Sequence, residues 1–219
     1  MVEISTSILS VEPENSLKTF YELEVAHTDY YHIDIMDGKF VPSNTTEKML
    51  EYTNQLKQIS NIPLDVHFMV ENVKEYIEEY IPYMPNIITF HYEACKNKEE
   101  ILENITRIKE NGIKVGISIK PNTNIEEIYE YLPMIHMVLV MTVEPGKGGQ
   151  KLIPETLEKI KGLKEYRKQN SLDFDIEADG GINLETIHEV TEAGIDIAVV
   201  GSGILKTQDY AETIRLLKK

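Results

Sequence analysis

Two short stretches decide the fold: HIDIM at residues 32–36 and DVHFM at residues 65–69. Successive side chains of a β-strand point to opposite faces, so the histidine and the aspartate of each stretch share one face. The apolar residues between them lie on the opposite face. Each stretch therefore predicts a strand that carries imidazole and carboxylate groups on one side and apolar side chains on the other.

The same stretches predict a metal site. Its candidate members are His32, Asp34, His67 and, from a later strand, Asp179. Two imidazoles and two carboxylates suit one divalent ion, for which we expect zinc, with iron, manganese and cobalt as alternatives. A single histidine on a strand is usually a hydrogen-bonded structural group, so the prediction depends on all four residues meeting at one place.

Around these stretches, short β-branched runs alternate with longer segments of helical periodicity, which is typical of βαβ units and a parallel sheet. The helical segments include Lys98–Asn111, Pro154–Gln169 and Tyr210–Leu217. The predicted strands are Glu3–Leu9, Tyr30–Met36, Leu64–Met69, Ile87–His91, Lys114–Ile119, Met137–Met141, Phe174–Asp179 and Ile197–Gly201. We predict an α/β fold, a (β/α)8 TIM barrel, with an open doubly wound sheet as the alternative.

A barrel places its chemistry at the carboxyl ends of its strands. Asp34, His67, His91 and Asp179 lie towards such ends, whereas the amino-terminal ends are poor in reactive groups. The distribution of reactive side chains along the chain therefore agrees with the predicted barrel.

Glycine-rich segments follow three of the predicted strands. They are residues 146–149 (GKGG), 180–181 (GG) and 201–203 (GSG). Glycine lets backbone N–H groups approach an anion closely, and barrels commonly bind phosphate in the loops after the seventh and eighth strands. We predict a phosphate site at the two later segments and a mobile lid at the first, with ordinary tight turns as the alternative.

The composition is typical of a soluble globular protein. The 219 residues are 42% hydrophobic, carry a formal net charge of −15 and include one cysteine. The negative charge argues against nucleic acid or an anionic membrane as a partner. The sequence has no apolar stretch near the roughly 20 residues that span a bilayer, and no secretory signal is visible. We expect one domain over residues 1–219, located in the cytoplasm.

Several motifs occur in an order that is specific to one family. They are SILS at residues 7–10, HIDIMDGKFVP at 32–42, DVHFMV at 65–70, PGKGGQ at 145–150, DGG at 179–181 and GS at 201–202. With these motifs the chain resembles, over its whole length, the ribulose-phosphate 3-epimerases of the ribulose-phosphate-binding barrel group. The resemblance implies the interconversion of D-ribulose 5-phosphate and D-xylulose 5-phosphate.

The resemblance also implies roles for individual residues. It implies a divalent metal at His32, Asp34, His67 and Asp179, and catalysis by Asp34 as proton acceptor and Asp179 as donor when ribulose 5-phosphate reacts. The implied substrate and phosphate contacts are Ser7, His67, Gly146, Lys147, Gly148, Gly149, Asp179, Gly180, Gly181, Gly201 and Ser202.

The chemistry explains these residue types. Inverting C3 of a 2-ketose removes a proton from one face and returns one to the other, so two acid/base groups must flank the carbon. One carboxyl group must start ionised and the other protonated. Met36, Met69 and Met141 either exclude water from the intermediate or are ordinary core methionines.

Other residues near the site are expected to play lesser roles. Asp65 and Glu177 are expected one layer deeper as supporting partners, and His91 as a structural group. Lys120 and Lys147 depart from the family's pattern, and both are expected to face the site. One interpretation gives one of them a contact with the substrate anion, and the other makes Lys147 a solvated lid residue.

Two further functions stay open at this point. An epimerase of D-allulose 6-phosphate would use the same ligands with room for one more hydroxymethylene group. A non-catalytic sugar-phosphate-binding barrel is disfavoured, because it would need neither acid/base carboxylate. The expected partners are a small-molecule ketose phosphate and further copies of the chain in a homo-oligomer.

Overall fold

The computed structural model describes residues 1–219 and confirms the barrel. Eight parallel strands are hydrogen-bonded in chain order, and pairing of the first with the eighth closes the sheet. The strands are β1 Glu3–Ser7, β2 Tyr30–Met36, β3 Leu64–Met69, β4 Ile87–His91, β5 Lys114–Ile119, β6 Met137–Met141, β7 Asp175–Asp179 and β8 Ile197–Val200.

Helices surround the sheet and cover its outer face. They are α1 Ser16–Val25, α2 Thr46–Ile59, α3 Val73–Tyr80, α4 Lys98–Glu110, α5 Leu157–Gln169, α6 Ile187–Ala193, α7 Ser202–Leu205 and α8 Tyr210–Leu217. In α4, Ile101, Ile105 and Ile108 share one face and are buried, as their spacing predicts. The Asn97 side chain accepts the Glu100 N–H and so caps the first turn. None of the helices combines the length and the apolar character needed to cross a bilayer.

The fifth unit of the barrel differs from the others. Short 3₁₀ segments, Ile125–Ile128 and Leu132–Met134, connect β5 to β6 in place of an α-helix. Pro121 precedes the first of these segments and Pro133 lies within the second, and a proline inside a helix lacks the N–H that the helix needs.

Some element boundaries also differ from the sequence-based ones. Strand β1 ends at Ser7 rather than Leu9, and β7 begins at Asp175 rather than Phe174. Strand β8 ends at Val200, because Gly201, with φ −100° and ψ −91°, leaves the extended conformation and begins the turn into α7.

The strand register positions the site. Asp34 pairs with His67 across β2 and β3, and Met141 pairs with Asp179 across β6 and β7. These pairs lie near the carboxyl ends of their strands. The opposite end of the barrel is filled by apolar packing of Ile87, Met137, Ile197 and Tyr30. The polar opening of the barrel interior therefore lies at the carboxyl end.

Candidate active site

Four side chains meet inside the carboxyl end of the barrel: His32 and Asp34 from β2, His67 from β3 and Asp179 from β7. Asp34 Oδ1 lies 3.3 Å from His32 Nε2 and 3.5 Å from His67 Nδ1. Asp179 Oδ2 lies 3.9 Å from His32 Nε2 and 3.7 Å from His67 Nδ1. One nitrogen or oxygen from each residue lies within 4.8 Å of the others. The structure thus brings together the whole set that the sequence predicts.

This cluster fits a divalent cation. His32 Nε2 and His67 Nδ1 are buried and have no hydrogen-bond partner. A buried polar atom without a partner costs about 1–3 kcal/mol, so such atoms usually have a further ligand. Both nitrogens face the two aspartates, which supply the negative charge that balances a metal ion.

The other ring nitrogens of both histidines have partners. His32 Nδ1 lies 2.6 Å from Asp65 Oδ2, which also accepts a 2.7 Å hydrogen bond from Ser5 Oγ. His67 Nε2 lies 3.0 Å from His91 Nε2. Metal-binding histidines usually hydrogen-bond through the second nitrogen in this way, which fixes the ring orientation. Asp65 therefore lies behind the cluster, as expected for a supporting partner one layer deeper.

Glu177 is the second carboxyl group behind the cluster. It is fully buried, and neither carboxyl oxygen has a hydrogen-bond partner. Burial, and then the charge of Asp65, raise the pKa of Glu177 well above its usual value. The Glu177 carboxyl group therefore holds its proton more tightly than an ordinary glutamate, and it lies outside the four-residue cluster.

The pKa values of the two aspartates in the cluster are shifted in opposite directions. Burial opposes the ionisation of Asp34, but the neighbouring His32 and His67 rings hold its pKa far below the usual range. Ser7 Oγ also donates a 2.7 Å hydrogen bond to Asp34 Oδ2. Burial, and then the negative charge of Asp34, raise the pKa of Asp179 to about 6. The pair thus contains one ionised carboxylate and one carboxyl group that binds a proton near neutral pH.

A cavity of about 530 Å³ opens above the aspartates. The predicted contact residues in its wall are Ser7, Asp34, Gly146, Lys147, Gly148, Gly149, Asp179, Gly181, Gly201 and Ser202. His67 and Gly180 are not among the lining residues, since His67 is fully buried beneath the floor. Met36, Met69 and Met141 do line the cavity, together with Leu9 and Val143, which are not among the predicted contact residues.

The loop at residues 146–149 is held at its base by contacts from outside the loop. Ser43 Oγ donates a 2.6 Å hydrogen bond to the Gly146 carbonyl. Gln150 Nε2 donates to the carbonyls of Glu144 and Lys147, at 2.6 and 2.9 Å. No sequence signal identifies Ser43, because the contact joins residues 103 positions apart.

The two unusual lysines occupy different places. Lys147 is exposed and lies in the cavity wall, as expected. Lys120 is not a lining residue: its Nζ lies 3.9 Å from the centre of the Phe40 ring, in a cation–π contact. The expectation that Lys120 faces the site is therefore wrong, because the Phe40 ring lies beneath its ammonium group.

The glycine pair after β7 has a backbone that only glycine adopts easily. Gly180 has φ +123° and Gly181 has φ +72°. A Cβ on Gly181 would lie 2.2 Å from the Leu152 backbone nitrogen. Gly181, Gly201 and Ser202 together place backbone groups at one side of the cavity, as the predicted phosphate site requires.

We expect Gly181→Ala to damage both folding and binding. The change combines about 1 kcal/mol of left-handed backbone strain with the cost of a backbone overlap, for a total loss of about 2–4 kcal/mol in unfolding free energy. The KM for a sugar phosphate should rise about tenfold or more, because the displaced loop forms one wall of the cavity. Urea unfolding and steady-state kinetics measure the two effects.

Gly112→Ala is the matched control. Gly112 has φ +73°, nearly that of Gly181, but a Cβ there would meet nothing within 4 Å. The unfolding free energy of this variant should fall only by the cost of the left-handed backbone, about 1 kcal/mol, and its KM should not change. Equal effects of the two substitutions would contradict a role for close packing at Gly181.

Comparison with known families agrees with this geometry. A sequence model of the ribulose-phosphate 3 epimerase family matches residues 3–205. The chain belongs to this family. A ribulose-phosphate 3-epimerase of Helicobacter pylori strain J99 is 37% identical over 209 residues, which cover 95% of this chain and 93% of that protein. The ribulose-phosphate 3-epimerase of Methanocaldococcus jannaschii is 37% identical over 219 residues, which cover 100% of this chain and 91% of that protein.

The family resemblance seen in the motifs is thus confirmed, and the chain is an isomerase that acts on carbohydrate phosphates. Solved structures of other enzymes share the fold. The 3-hexulose-6-phosphate synthase of Salmonella typhimurium has a TM-score of 0.72 at 16% identity, covering 99% of this chain and 96% of that one. KGPDC from Streptococcus mutans has a TM-score of 0.72 at 11% identity, covering 100% of this chain and 96% of that one. At such identities the likeness shows the barrel alone.

Proposed function

We propose that this chain interconverts D-ribulose 5-phosphate and D-xylulose 5-phosphate by proton transfer at C3, with one divalent metal ion held by His32, Asp34, His67 and Asp179. The observation that carries the proposal is the pair of aspartates at the floor of the cavity, Asp34 buried and Asp179 partly buried, whose pKa values are shifted in opposite directions. Family membership supports the reaction, and the two unpartnered histidine nitrogens support the metal.

Asp34 acts as the base when ribulose 5-phosphate reacts. Its ionised carboxylate takes the proton from C3, and the electron pair of the broken C–H bond forms the C2–C3 double bond of an enediolate. The C2 carbonyl oxygen takes up the negative charge. The hydrogen bond from Ser7 Oγ to Asp34 Oδ2 holds the carboxylate in place during this transfer.

Asp179 acts as the acid on the opposite face. It binds a proton near neutral pH, and transfer of this proton to C3 restores the carbonyl with inverted configuration. The roles exchange when xylulose 5-phosphate reacts. A divalent ion held by His32, Asp34, His67 and Asp179 would supply Lewis-acid stabilisation, worth several kcal/mol, to the negative charge of the enediolate.

The cavity wall supplies binding and protection from water. Met36, Met69 and Met141 present apolar surface beside the aspartates and limit proton exchange with solvent. The backbone of the loops at Gly181 and Gly201 binds the phosphate group at the other side of the cavity. Zinc is the metal we propose first, with iron, manganese and cobalt as the alternatives to compare.

Proton NMR of D-ribulose 5-phosphate in D₂O with the zinc-loaded protein tests the function. We expect loss of the C3 proton signal and growth of D-xylulose 5-phosphate labelled with deuterium at C3. A reaction of D-allulose 6-phosphate in its place would reassign the substrate. Binding of both sugars without exchange at C3 would show a binding protein and contradict the proposed reaction.

Metal affinity should increase with pH. Burial opposes a charged His32 ring, but the charges of Asp65 and Asp34 outweigh it and raise the pKa of His32 well above its usual value. The raised pKa favours a proton on the metal-free ring, and Nε2 must release that proton before it can bind a metal. The zinc dissociation constant, measured by chelator competition, should fall about tenfold per unit of rising pH for each proton released. A constant affinity between pH 6 and 8 would contradict this assignment.

A further inference from the structure

Behind His67, a chain of hydrogen bonds runs away from the four-residue cluster. His67 Nε2 lies 3.0 Å from His91 Nε2, and His91 Nδ1 lies 3.0 Å from Glu93 Oε2. Glu93 Oε1 accepts a 2.7 Å hydrogen bond from the Lys120 backbone N–H and another from Thr123 Oγ1. Both imidazole rings are fully buried, so water does not compete for their nitrogens.

The Glu93 carboxylate, at the far end of this series of hydrogen bonds, determines which group donates in each of them. An ionised carboxylate can only accept, so His91 Nδ1 must carry the proton that Glu93 accepts. A neutral His91 then has a lone pair on Nε2. The two facing Nε2 atoms, 3.0 Å apart, share one hydrogen, so it must belong to His67. A neutral His67 with its proton on Nε2 has a free lone pair on Nδ1.

That lone pair lies where the proposed metal site needs it. His67 Nδ1 is the atom that faces Asp34 and Asp179, at 3.5 and 3.7 Å, and it has no hydrogen-bond partner. The opposite tautomer would place a hydrogen on Nδ1 and leave no electron pair for a metal. A neutral imidazole exists in both tautomers, and its hydrogen bonds decide which one is populated.

We propose that His91 and Glu93 are positioning residues for metal binding, which fix His67 in the tautomer that presents Nδ1 to the ion. The proposal rests on the metal site proposed above and extends it to two residues that contact neither metal nor substrate. Removal of such outer partners typically lowers metal affinity about 10–100-fold.

Glu93→Gln provides the sharpest test, because it should exchange donor and acceptor in each hydrogen bond between residue 93, His91 and His67. The Lys120 N–H needs an acceptor, so the glutamine carbonyl takes the Oε1 position and its NH₂ group faces His91 Nδ1. His91 must then accept at Nδ1 and carry its proton on Nε2. His67 must in turn accept at Nε2 and carry its proton on Nδ1. We expect the zinc dissociation constant of this variant to rise about 10–100-fold.

The tautomer can be observed directly in the metal-free protein. Long-range ¹H–¹⁵N correlation spectra of histidine-labelled protein distinguish a ring protonated at Nε2 from one protonated at Nδ1. We expect the Nε2-protonated form for His67 in the wild type and the Nδ1-protonated form in Glu93→Gln. A wild-type His67 protonated at Nδ1 would overturn the proposal, whether or not the protein binds zinc.

His91→Gln and His91→Leu form a matched pair that separates hydrogen bonding from packing. A glutamine can accept from His67 with its carbonyl and donate to Glu93 with its NH₂ group, so each hydrogen bond keeps the same donor and acceptor side. We expect this variant to bind zinc within about threefold of the wild type, whereas His91→Leu loses about 10–100-fold. Equal zinc affinity of wild type, Glu93→Gln and His91→Leu would also overturn the proposal. Absence of zinc binding by the wild type would instead contradict the metal site itself.

Discussion

Asp179→Asn will lower the rate of epimerisation about 10³-fold or more, while sugar-phosphate binding persists. The amide has no acidic proton to transfer, so the enediolate cannot be protonated on the face that Asp179 serves, and one general acid is worth about 10²–10⁴-fold. The raised pKa of Asp179, about 6, is the property that the amide removes. The ionised Asp34 remains.

The position of deuterium identifies which half of the reaction fails. Asp34 should still remove the C3 proton of ribulose 5-phosphate and return a deuteron from D₂O to the same face. Proton NMR should therefore show exchange into ribulose 5-phosphate with almost no xylulose 5-phosphate. Zinc content, measured on the same sample, separates loss of the acid from loss of a ligand.

Asp175→Asn is the control for the same substitution on the same strand. Asp175 begins β7 at the opposite end of the barrel and is exposed there, far from the cavity. This variant should keep its rate within about twofold, as substitutions of exposed residues usually do. Near-normal turnover in Asp179→Asn would rule out the mechanism with two carboxylates.

The sequence predicts the barrel and the ligand set because both depend on local patterns. Alternation within β2 and β3 puts His32 with Asp34 and Asp65 with His67 on one face, whatever the rest of the chain does. The barrel then brings Asp179 of β7 to the same end, because all parallel strands of a closed sheet end on one side.

Other features depend on contacts between distant parts of the chain, which no local pattern encodes. The sequence shows two histidines, but the free nitrogen differs between them: Nε2 in His32 and Nδ1 in His67. Partners on other strands, Asp65 and His91, set this difference. The expectation for Lys120 is wrong for the same reason, because its position depends on the ring of Phe40 from a separate loop.

Asp34→Asn should cause the larger loss, about 10⁴-fold or more, because one residue supplies two functions. It removes the base that takes the C3 proton, and it removes the carboxylate whose Oδ1 lies 3.3 Å from His32 Nε2 and 3.5 Å from His67 Nδ1. Zinc affinity should fall along with the rate. Saturating zinc should not restore turnover, because the amide cannot act as a base.

The exchange pattern should be the reverse of that in Asp179→Asn. Xylulose 5-phosphate should acquire deuterium at C3 through Asp179, whereas ribulose 5-phosphate should keep its proton. Ser7→Ala gives the graded comparison, since it leaves the carboxylate and removes the 2.7 Å hydrogen bond to Asp34 Oδ2, together with a longer one of 3.4 Å from the Leu9 N–H. Loss of one such bond to a charged group costs about 1.5–3 kcal/mol, or roughly 10–150-fold in rate. If Ser7→Ala were as damaging as Asp34→Asn, the orientation of Asp34 rather than its basicity would limit the reaction. If Asp34→Asn exchanged the C3 proton of ribulose 5-phosphate at the wild-type rate, the base would have to be another residue.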